Sequence, residues 1–262
     1  MTRVTVIGAA GFVGSAFLEH LCALADTDVV AVTRDSYDQH RGRPSDVVVD
    51  CAGNSRKYLA EGDPIEDLER TVQHRLRTLR DFPAGLQVHI SSVDVYDRLD
   101  SPLTTREDTV LRPEAASHYG FHKRLAEMLV QHHAPDWLIL RPGGMVGPGL
   151  RKNPVHDVLS GSPLWVHPDS QYQFLQTSDV ARIAWLLVSG GHRKEIFNVC
   201  GEGLISPREV ARLAGRTLDL ERVAPRAAPR IVDISLEKLS HHVTVPSTLG
   251  AVRAFLREGP AV

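Results

Sequence analysis

The stretch "VIGAAGFVGS" (residues 6–15) decides the fold of this chain. It follows the apolar run "RVTVIG" (3–8), which predicts a strand, and it opens "GSAFLEHLCALA" (14–25), which predicts a helix. Glycines at such a junction allow a tight turn, close approach of the backbone to a pyrophosphate, and helix–strand packing. The N–H groups at the start of the helix then face the phosphate charge. The pattern therefore predicts a dinucleotide site at Gly8, Gly11 and Gly14.

Strands and helices alternate along the rest of the chain. Further strands are predicted over residues 28–34, 45–53, 86–92, 137–143 and 195–201, and further helices over 64–82, 118–133, 178–190 and 206–215. This alternation predicts an α/β fold, a Rossmann-type doubly wound parallel sheet covered on both faces. Only residues 35–44 separate the second strand from the next one, so the fold is expected to be shortened there.

The composition of the sequence changes near residue 144, where Gly and Pro become frequent. We therefore predict a dinucleotide-binding core over residues 1–143 and a small C-terminal substrate-binding lobe over 144–262. The segment 178–200, a helix and a strand, is expected to return to the core.

Composition excludes several classes of protein. The 262 residues are 42% hydrophobic and 24% charged, with a formal net charge of −2. Basic residues are spread along the chain, which argues against a nucleic-acid partner. The cysteines lack paired spacing, which argues against disulfides and a metal site and favours a reducing compartment. With neither a secretory signal pattern nor a membrane-length apolar run, we expect a cytoplasmic protein without a membrane partner.

The end of the second predicted strand bears on the choice of cofactor. An acidic residue there accepts a hydrogen bond from the 2′-hydroxyl of NAD, whereas an Arg suits the 2′-phosphate of NADP. This chain has Thr33 at that place, followed by Arg34. The pair favours NADP over NAD, although Asp35 keeps NAD open if the register differs.

A tyrosine and a lysine share one face of the helix predicted over 118–133. Tyr119 and Lys123 are four residues apart, and Ser92 ends the strand predicted over 86–92. A free phenol has a pKa of about 10, and a neighbouring ammonium with a positive nicotinamide is expected to lower it. The serine hydroxyl can orient a substrate oxygen. These residue types suit hydride movement coupled to proton transfer on one C–O group.

Taken with these residues, the chain resembles the extended branch of the short-chain dehydrogenase/reductase superfamily, the NAD(P)-dependent epimerase/dehydratase family. The resemblance covers residues 2 to about 215. Its motifs are "GAAGFVGS" (8–15), "VVVDCAG" (47–53), "SSVDVY" (91–96), "TREDTVLRPEAASHYGFHK" (105–123), "LRPGGMVGPG" (140–149) and "FNVCGEG" (197–203).

The resemblance implies roles for individual residues. Ser92, Tyr119 and Lys123 would be the catalytic triad, with Tyr119 as general acid/base and Lys123 also on the nicotinamide ribose. Further cofactor contacts would come from Ala10, Phe12, Val13, Cys51, Ala52, Gly53, Ser91, Pro142 and Gly143. Substrate contacts would come from Ser92, Val93, Asp94, Gly144, Met145, Asn153, Trp165 and Tyr172. A homodimer through the helices at 64–82 and 118–133 is also implied.

Two departures from the family pattern bear on function. Members that bind nucleotide sugars carry an Arg before the helix predicted at 178, but this chain has Tyr172 and Gln173 there, so no cation is expected to clamp a diphosphate at that place, and Arg151 and Lys152 are the alternative cations. Dehydratases of the family have an Asp–Glu pair where this chain has Val93 and Asp94, which favours reduction over elimination.

We therefore expect an NAD(P)-dependent oxidoreductase, preferably a ketoreductase, acting on a small polar, sugar-like molecule. Two alternatives stay open at this point. One is a sugar or nucleotide-sugar epimerase or dehydratase that retains its cofactor, and the other is a regulatory protein that senses the dinucleotide without catalysis.

Overall fold

A computed structural model describes residues 1–219 and 228–259. The chain divides into two compact units. The first comprises residues 1–97, 110–142 and 181–197, and the second comprises 98–109, 143–180 and 198–262. The domain boundary at residue 143 stays a prediction, and the model groups residues 98–109 with the second unit.

In the described part of the chain, eight strands form two sheets. The strands are β1 (Thr2–Ile7), β2 (Thr27–Val32), β3 (Ser45–Asp50), β4 (Ala84–Ile90), β5 (Trp137–Pro142), β6 (Gly144–Val146), β7 (Phe174–Gln176) and β8 (Glu195–Val199). The large sheet has the order β2-β1-β3-β4-β5-β8, and the pairs from β2 through β5 are parallel. The predicted Rossmann-type parallel sheet is thus confirmed. Strands β6 and β7 form a separate parallel pair.

Helices connect these strands, and α9, α10 and α11 follow β8. They are α1 (Gly14–Cys22), α2 (Tyr37–His40), α3 (Lys57–Gly62), α4 (Pro64–Leu68), α5 (His74–Asp81), α6 (His118–His133), α7 (Pro154–Ser160), α8 (Thr177–Ser189), α9 (Pro207–Leu213), α10 (Glu237–Ser240) and α11 (Thr248–Arg257). The helix predicted over 64–82 forms as α4 and α5 joined by a π-helical turn, Glu69–Gln73. Within the described part of the chain, no helix combines the length and the apolar character needed to cross a bilayer.

The short link after β2 leaves that strand at the edge of the sheet. Between β2 and β3 the chain makes only the single-turn α2, whose Tyr37 packs edge-on against Phe82 with ring centroids 4.9 Å apart. Ile7, Val32 and Val48 complete this apolar cluster. The shortened link predicted from the sequence therefore forms a single turn of helix.

The second unit is held by side chains that cap helices and bind backbone. Asn153 caps α7 by accepting a hydrogen bond from the His156 N–H at 2.9 Å, and Ser206 and Glu209 form a capping box at α9. The Thr248 hydroxyl accepts a bond from the Phe174 N–H at 3.1 Å, which ties α11 to β7.

A buried carboxylate fixes α6 against the large sheet. Both oxygens of Glu127 accept bonds from Arg141 of β5, at 2.9 and 2.8 Å, and Oε1 also accepts a bond from the Ser91 hydroxyl at 2.6 Å. Burial alone would raise the pKa of Glu127, but the hydrogen bonds and charge of Arg141, with the Ser91 bond, lower it below its ordinary value. The helix is thereby held in register with the ends of β4 and β5.

A glycine lets α6 approach the turn that follows β4. Ser117 caps this helix by accepting a bond from the Gly120 N–H at 3.1 Å. A methyl group on Gly120 would overlap the backbone carbonyl of Asp94. The closeness of α6 to the turn at 92–94 therefore depends on the missing side chain.

Gly120→Ala is expected to lower the free energy of unfolding by about 2 kcal/mol, since helix and turn must separate to admit the methyl group. Urea unfolding followed by circular dichroism measures this. Gly62→Ala is the matched control, because open space surrounds that helical glycine. Its stability is expected to stay within about 1 kcal/mol of the wild type, on the stabilising side. Equal stability of the two variants would contradict the close approach at Gly120.

Candidate active site

The glycine turn after β1 has the backbone geometry of a phosphate-binding loop. Gly8 has φ +75°, and a Cβ there would lie 3.0 Å from the Ala52 N atom. A Cβ on Gly14 would overlap the Gly8 carbonyl. Among the described residues no side chain caps α1, so the start of that helix can accept an anion. Ala10, Phe12 and Val13 lie in the same turn, at 8–14. These residues fit a dinucleotide pyrophosphate.

The residues that follow β2 and β3 lie at the same end of the sheet. The Ser36 hydroxyl accepts a hydrogen bond from the Thr33 N–H at 3.0 Å and is hydrogen-bonded to the Thr33 hydroxyl at 3.2 Å. Arg34 is exposed. After β3, the Ala52 N–H donates to Asp50 Oδ1 at 2.9 Å, and burial raises the pKa of the Cys51 thiol. Gly53 has φ +129°, and a Cβ on it would lie 4.0 Å from Lys123 Nζ.

Ser92, Tyr119 and Lys123 come together in the first unit. All three are buried, with 7, 6 and 6% of their surface exposed. The Ser92 hydroxyl acts on Tyr119 and lowers the pKa of its phenol, and Lys123 Nζ lies 5.6 Å from the centroid of the Tyr119 ring. The arrangement can pass a proton between the phenol and an oxygen held by the serine.

Asp94 joins this group through the serine. The Ser92 hydroxyl donates to Asp94 Oδ2 at 2.8 Å, and Lys57 Nζ donates to Asp94 Oδ1 at 2.6 Å. Val93, between the two, is buried. The carboxylate that the sequence suggested as a substrate contact is therefore already bound to two side chains.

The predicted direction of the pKa shift at Tyr119 is wrong for the chain without cofactor. Burial raises the pKa of Tyr119, the charges of Asp94 and Asp67 raise it further, and only the Ser92 hydrogen bond opposes them. The pKa of Lys123 itself is lowered to about 8, first by burial and then by repulsion from Arg75.

Buried polar groups that the sequence analysis missed surround the triad. Asp67 of α4 accepts bonds from Asn54 at 2.7 Å and Thr71 at 3.1 Å, and it pairs with His122 Nδ1 at 2.7 Å. Arg75 of α5 forms a buried ion pair with Asp50. A charged residue on an apolar helix face was a signal for Asp67 and Arg75, but the partners could not be read from the sequence.

Several predicted contacts have other partners. The Ser91 hydroxyl binds Glu127, so any cofactor contact by this residue stays a prediction. Pro142 ends β5 and is buried. Within the second unit, Gly143 and Gly144 pack closely against Cys200 and Phe174.

Some of the predicted substrate residues in the second unit already bind other groups of the protein. Asn153 caps α7, and its Nδ2 donates to the Met145 carbonyl at 2.8 Å. Trp165 is 75% exposed, whereas Tyr172 is buried and pairs with Ile205 through backbone bonds of 3.0 and 2.9 Å. Among residues 1–219 and 228–259, no three His, Cys, Asp or Glu side chains come together in a way that could hold a metal ion.

A cation does lie near Tyr172, contrary to the prediction from the sequence. The guanidinium of Arg230 stacks over the Tyr172 ring, 5.8 Å from its centroid. The two residues are far apart in sequence and meet because the 228–232 segment runs beside Gln171, whose N–H donates to the Arg230 carbonyl at 2.8 Å. The residues just before α8 in the sequence therefore do not identify this cation.

Comparison with known proteins identifies relatives in sugar metabolism. The chain is 27% identical over 288 residues to a dTDP-4-dehydro-6-deoxy-D-allose reductase of Streptomyces bikiniensis, with 88% of each chain covered. In fold, it is similar to RMD from Pseudomonas aeruginosa, solved in complex with NADPH, with a TM-score of 0.79, 24% identity, and coverage of 98% of this chain and 99% of that one.

It is likewise similar to a dTDP-glucose 4,6-dehydratase of Streptomyces venezuelae, solved with NAD and TYD, with a TM-score of 0.80 and 21% identity. That match covers 98% of this chain and 96% of the other. The model of the NAD dependent epimerase/dehydratase family matches residues 4–200, which is most of the sequence. The resemblance drawn from the motifs is confirmed: the chain belongs to this family and is an enzyme that uses NAD or NADP.

Proposed function

We propose that the enzyme is a reductase that uses NADPH to convert a ketone of a sugar nucleotide into an alcohol, with Tyr119 as the general acid. The observation behind this proposal is the buried group of Ser92, Tyr119 and Lys123, in which the phenol is kept protonated. A reductase must begin its cycle with a proton to give, and a phenol carries that proton at neutral pH.

Each residue has a defined task in this reaction. When bound, a reduced nicotinamide would supply the hydride for the new C–H bond at the carbonyl carbon. Ser92 donates a hydrogen bond to the carbonyl oxygen and orients it. Tyr119 gives its proton to that oxygen, which completes the alcohol and leaves a phenolate. The ammonium of Lys123 stabilises the phenolate, since it lies beside the same ring.

Reduction is favoured over elimination because Asp94 is engaged. Its two oxygens accept bonds from Ser92 and Lys57. A carboxylate held in this way is a poor base for removing a carbon-bound proton. The missing second acid at Val93 supports the same choice.

A sugar nucleotide is favoured as the substrate class for two reasons. The curated relative is named for a dTDP-linked keto sugar. In addition, Arg230 beside Tyr172 offers a cation suited to a diphosphate, which offsets the missing Arg before α8.

Tyr119→Phe is expected to reduce the rate of NADPH oxidation at least about 100-fold with dTDP-4-dehydro-6-deoxy-D-allose, because the phenol proton is lost. The dissociation constant for NADPH, measured by fluorescence, should stay within about threefold, since the ring remains. Tyr58→Phe, a change at an exposed tyrosine, is the control and should leave both values unchanged. Turnover surviving in Tyr119→Phe would refute the role of the phenol.

The same assay separates the alternatives. Net oxidation of added NADPH, one molecule per alcohol formed, identifies a reductase. An epimerase would convert substrate without net consumption of NADPH, and a non-catalytic sensor would bind NADPH and leave the sugar unchanged.

NADP preference is the second part of the proposal and concerns Arg34. Arg34→Ala is expected to weaken NADPH binding about tenfold more than NADH binding, because the lost guanidinium faces only the 2′-phosphate. Titration of each cofactor by fluorescence measures this. Arg253→Ala, an exposed arginine on α11, is the charge-matched control. Equal losses for the two cofactors would remove the preference for NADP.

We also propose a homodimer formed through the helices of the first unit. Ile65 on α4, Leu76 on α5 and Met128 on α6 are 73, 45 and 51% exposed, an unusual set of apolar side chains on adjoining helices. A cytoplasmic location likewise stays a prediction from the sequence.

Ile65→Glu is expected to halve the mass measured by light scattering, because the charge would be buried between two copies. The control is Val110→Glu, an exposed apolar residue outside these helices, which should leave the mass unchanged. A wild-type protein that scatters as a single chain at all concentrations would refute the dimer.

A further inference from the structure

Lys57 is a basic residue close to the active site that no sequence motif explains. It begins α3, directly after the loop that leads from β3 past Gly53. Its Nζ donates to Asp94 Oδ1 at 2.6 Å, although the two residues are 37 positions apart. The Lys57 side chain is 59% exposed, whereas that of Asp94 is only 13% exposed.

Asp94 connects this lysine to the reacting groups. Ser92 donates its hydroxyl hydrogen to Asp94 Oδ2 at 2.8 Å, and it accepts a bond from the Asp94 N–H at 3.2 Å. The Ser92 hydroxyl also acts on Tyr119, whose pKa it lowers. Hydrogen bonds therefore run from an ammonium at the surface through Asp94 to Ser92, the serine that acts on the buried phenol.

A carboxylate in this place opposes the proposed reaction unless its charge is balanced. Negative charge at Asp94 holds the Ser92 hydrogen on itself and disfavours the phenolate that Tyr119 becomes. Charged and titratable groups from three elements surround Tyr119. They are Asp94 on the turn after β4, Asp67 on α4, and His122 and Lys123 on α6. Asp50 and Arg75 lie next to Lys123. Asp67 is bound by His122, and Asp50 by Arg75. Lys57 forms an ion pair with Asp94.

We propose that Lys57 is a positioning residue for the reductase reaction, one that neutralises Asp94 so that Ser92 can turn to the substrate carbonyl and Tyr119 can release its proton. This inference rests on the proposed function. Lys57 touches neither the cofactor nor the carbonyl in this proposal and acts only through Asp94.

Lys57→Met is expected to lower kcat about tenfold, because an unbalanced charge next to the phenol opposes the transition state. KM for dTDP-4-dehydro-6-deoxy-D-allose and the dissociation constant for NADPH should stay within about twofold. Lys57→Arg should restore kcat to within about threefold of the wild type, since a guanidinium can also pair with a carboxylate. Arg56→Met, which removes the neighbouring exposed charge, is the control and should not change kcat.

A second substitution separates this role from a structural one. Asp94→Asn keeps an oxygen for the Ser92 hydrogen bond and removes the charge that Lys57 neutralises. When Asp94→Asn is added to Lys57→Met, kcat should rise about fivefold above that of the single variant, because there is no charge left to balance. A lysine needed only for folding would not be rescued by a change at another residue.

The outcomes distinguish this inference from the proposed function. Wild-type kcat in Lys57→Met, with Tyr119→Phe inactive, would overturn the inference and leave the reductase proposal standing. A rise in KM with unchanged kcat would mean that Lys57 binds substrate, and failure of Asp94→Asn to rescue would mean that it does not act through Asp94; each overturns the inference. If Tyr119→Phe remains active, or the wild type oxidises no NADPH with this sugar, the proposed function and the inference are both overturned.

Discussion

The position of α6 against the large sheet is the constraint on which the site depends, and Glu127 sets it. Its carboxylate binds Arg141 on β5 and Ser91 at the end of β4, so one buried group fixes three elements. Ser92 is the next residue after Ser91, and Lys123 and Tyr119 lie about one and two turns before Glu127 on the same helix. The network therefore determines the distance between the serine and the phenol, although it touches neither of them.

A buried ion pair of this kind is weak evidence for stability, because removing both charges from water costs several kcal/mol. Its value lies in geometry. Two planar groups with four hydrogen-bonding atoms in fixed directions restrict the helix more than apolar contacts of equal area would. Gly120 complements this restraint, since its missing side chain lets the helix approach the backbone carbonyl of Asp94. The polar network fixes the direction of the helix, and the glycine allows the close approach.

The parts of this molecule that could be predicted from the sequence are those encoded locally. The strands follow from runs of Val and Ile, and the phosphate-binding turn follows from three glycines at one junction. Tyr119 and Lys123 were found because helical spacing relates them within five residues. Lys57 with Asp94, Ser91 with Glu127 and Arg230 with Tyr172 were missed because their separations in sequence exceed 30 residues and no local pattern relates them. The direction of the pKa shift at Tyr119 was missed for the same reason, since Asp94 and Asp67 were not known to face it.

The charges around the phenol explain why a lysine with a pKa of about 8 suits this site. Three carboxylates, Asp50, Asp67 and Asp94, raise the pKa of Lys123, while burial and Arg75 lower it. Arg75 and Lys57 form ion pairs with Asp50 and Asp94, and His122 is hydrogen-bonded to Asp67, so each of these carboxylates already has a partner. With a pKa of about 8, the Lys123 amine is mostly protonated at neutral pH. Its charge thus remains available for the phenolate that appears only during the reaction, and stabilisation confined to that moment is what accelerates a chemical step.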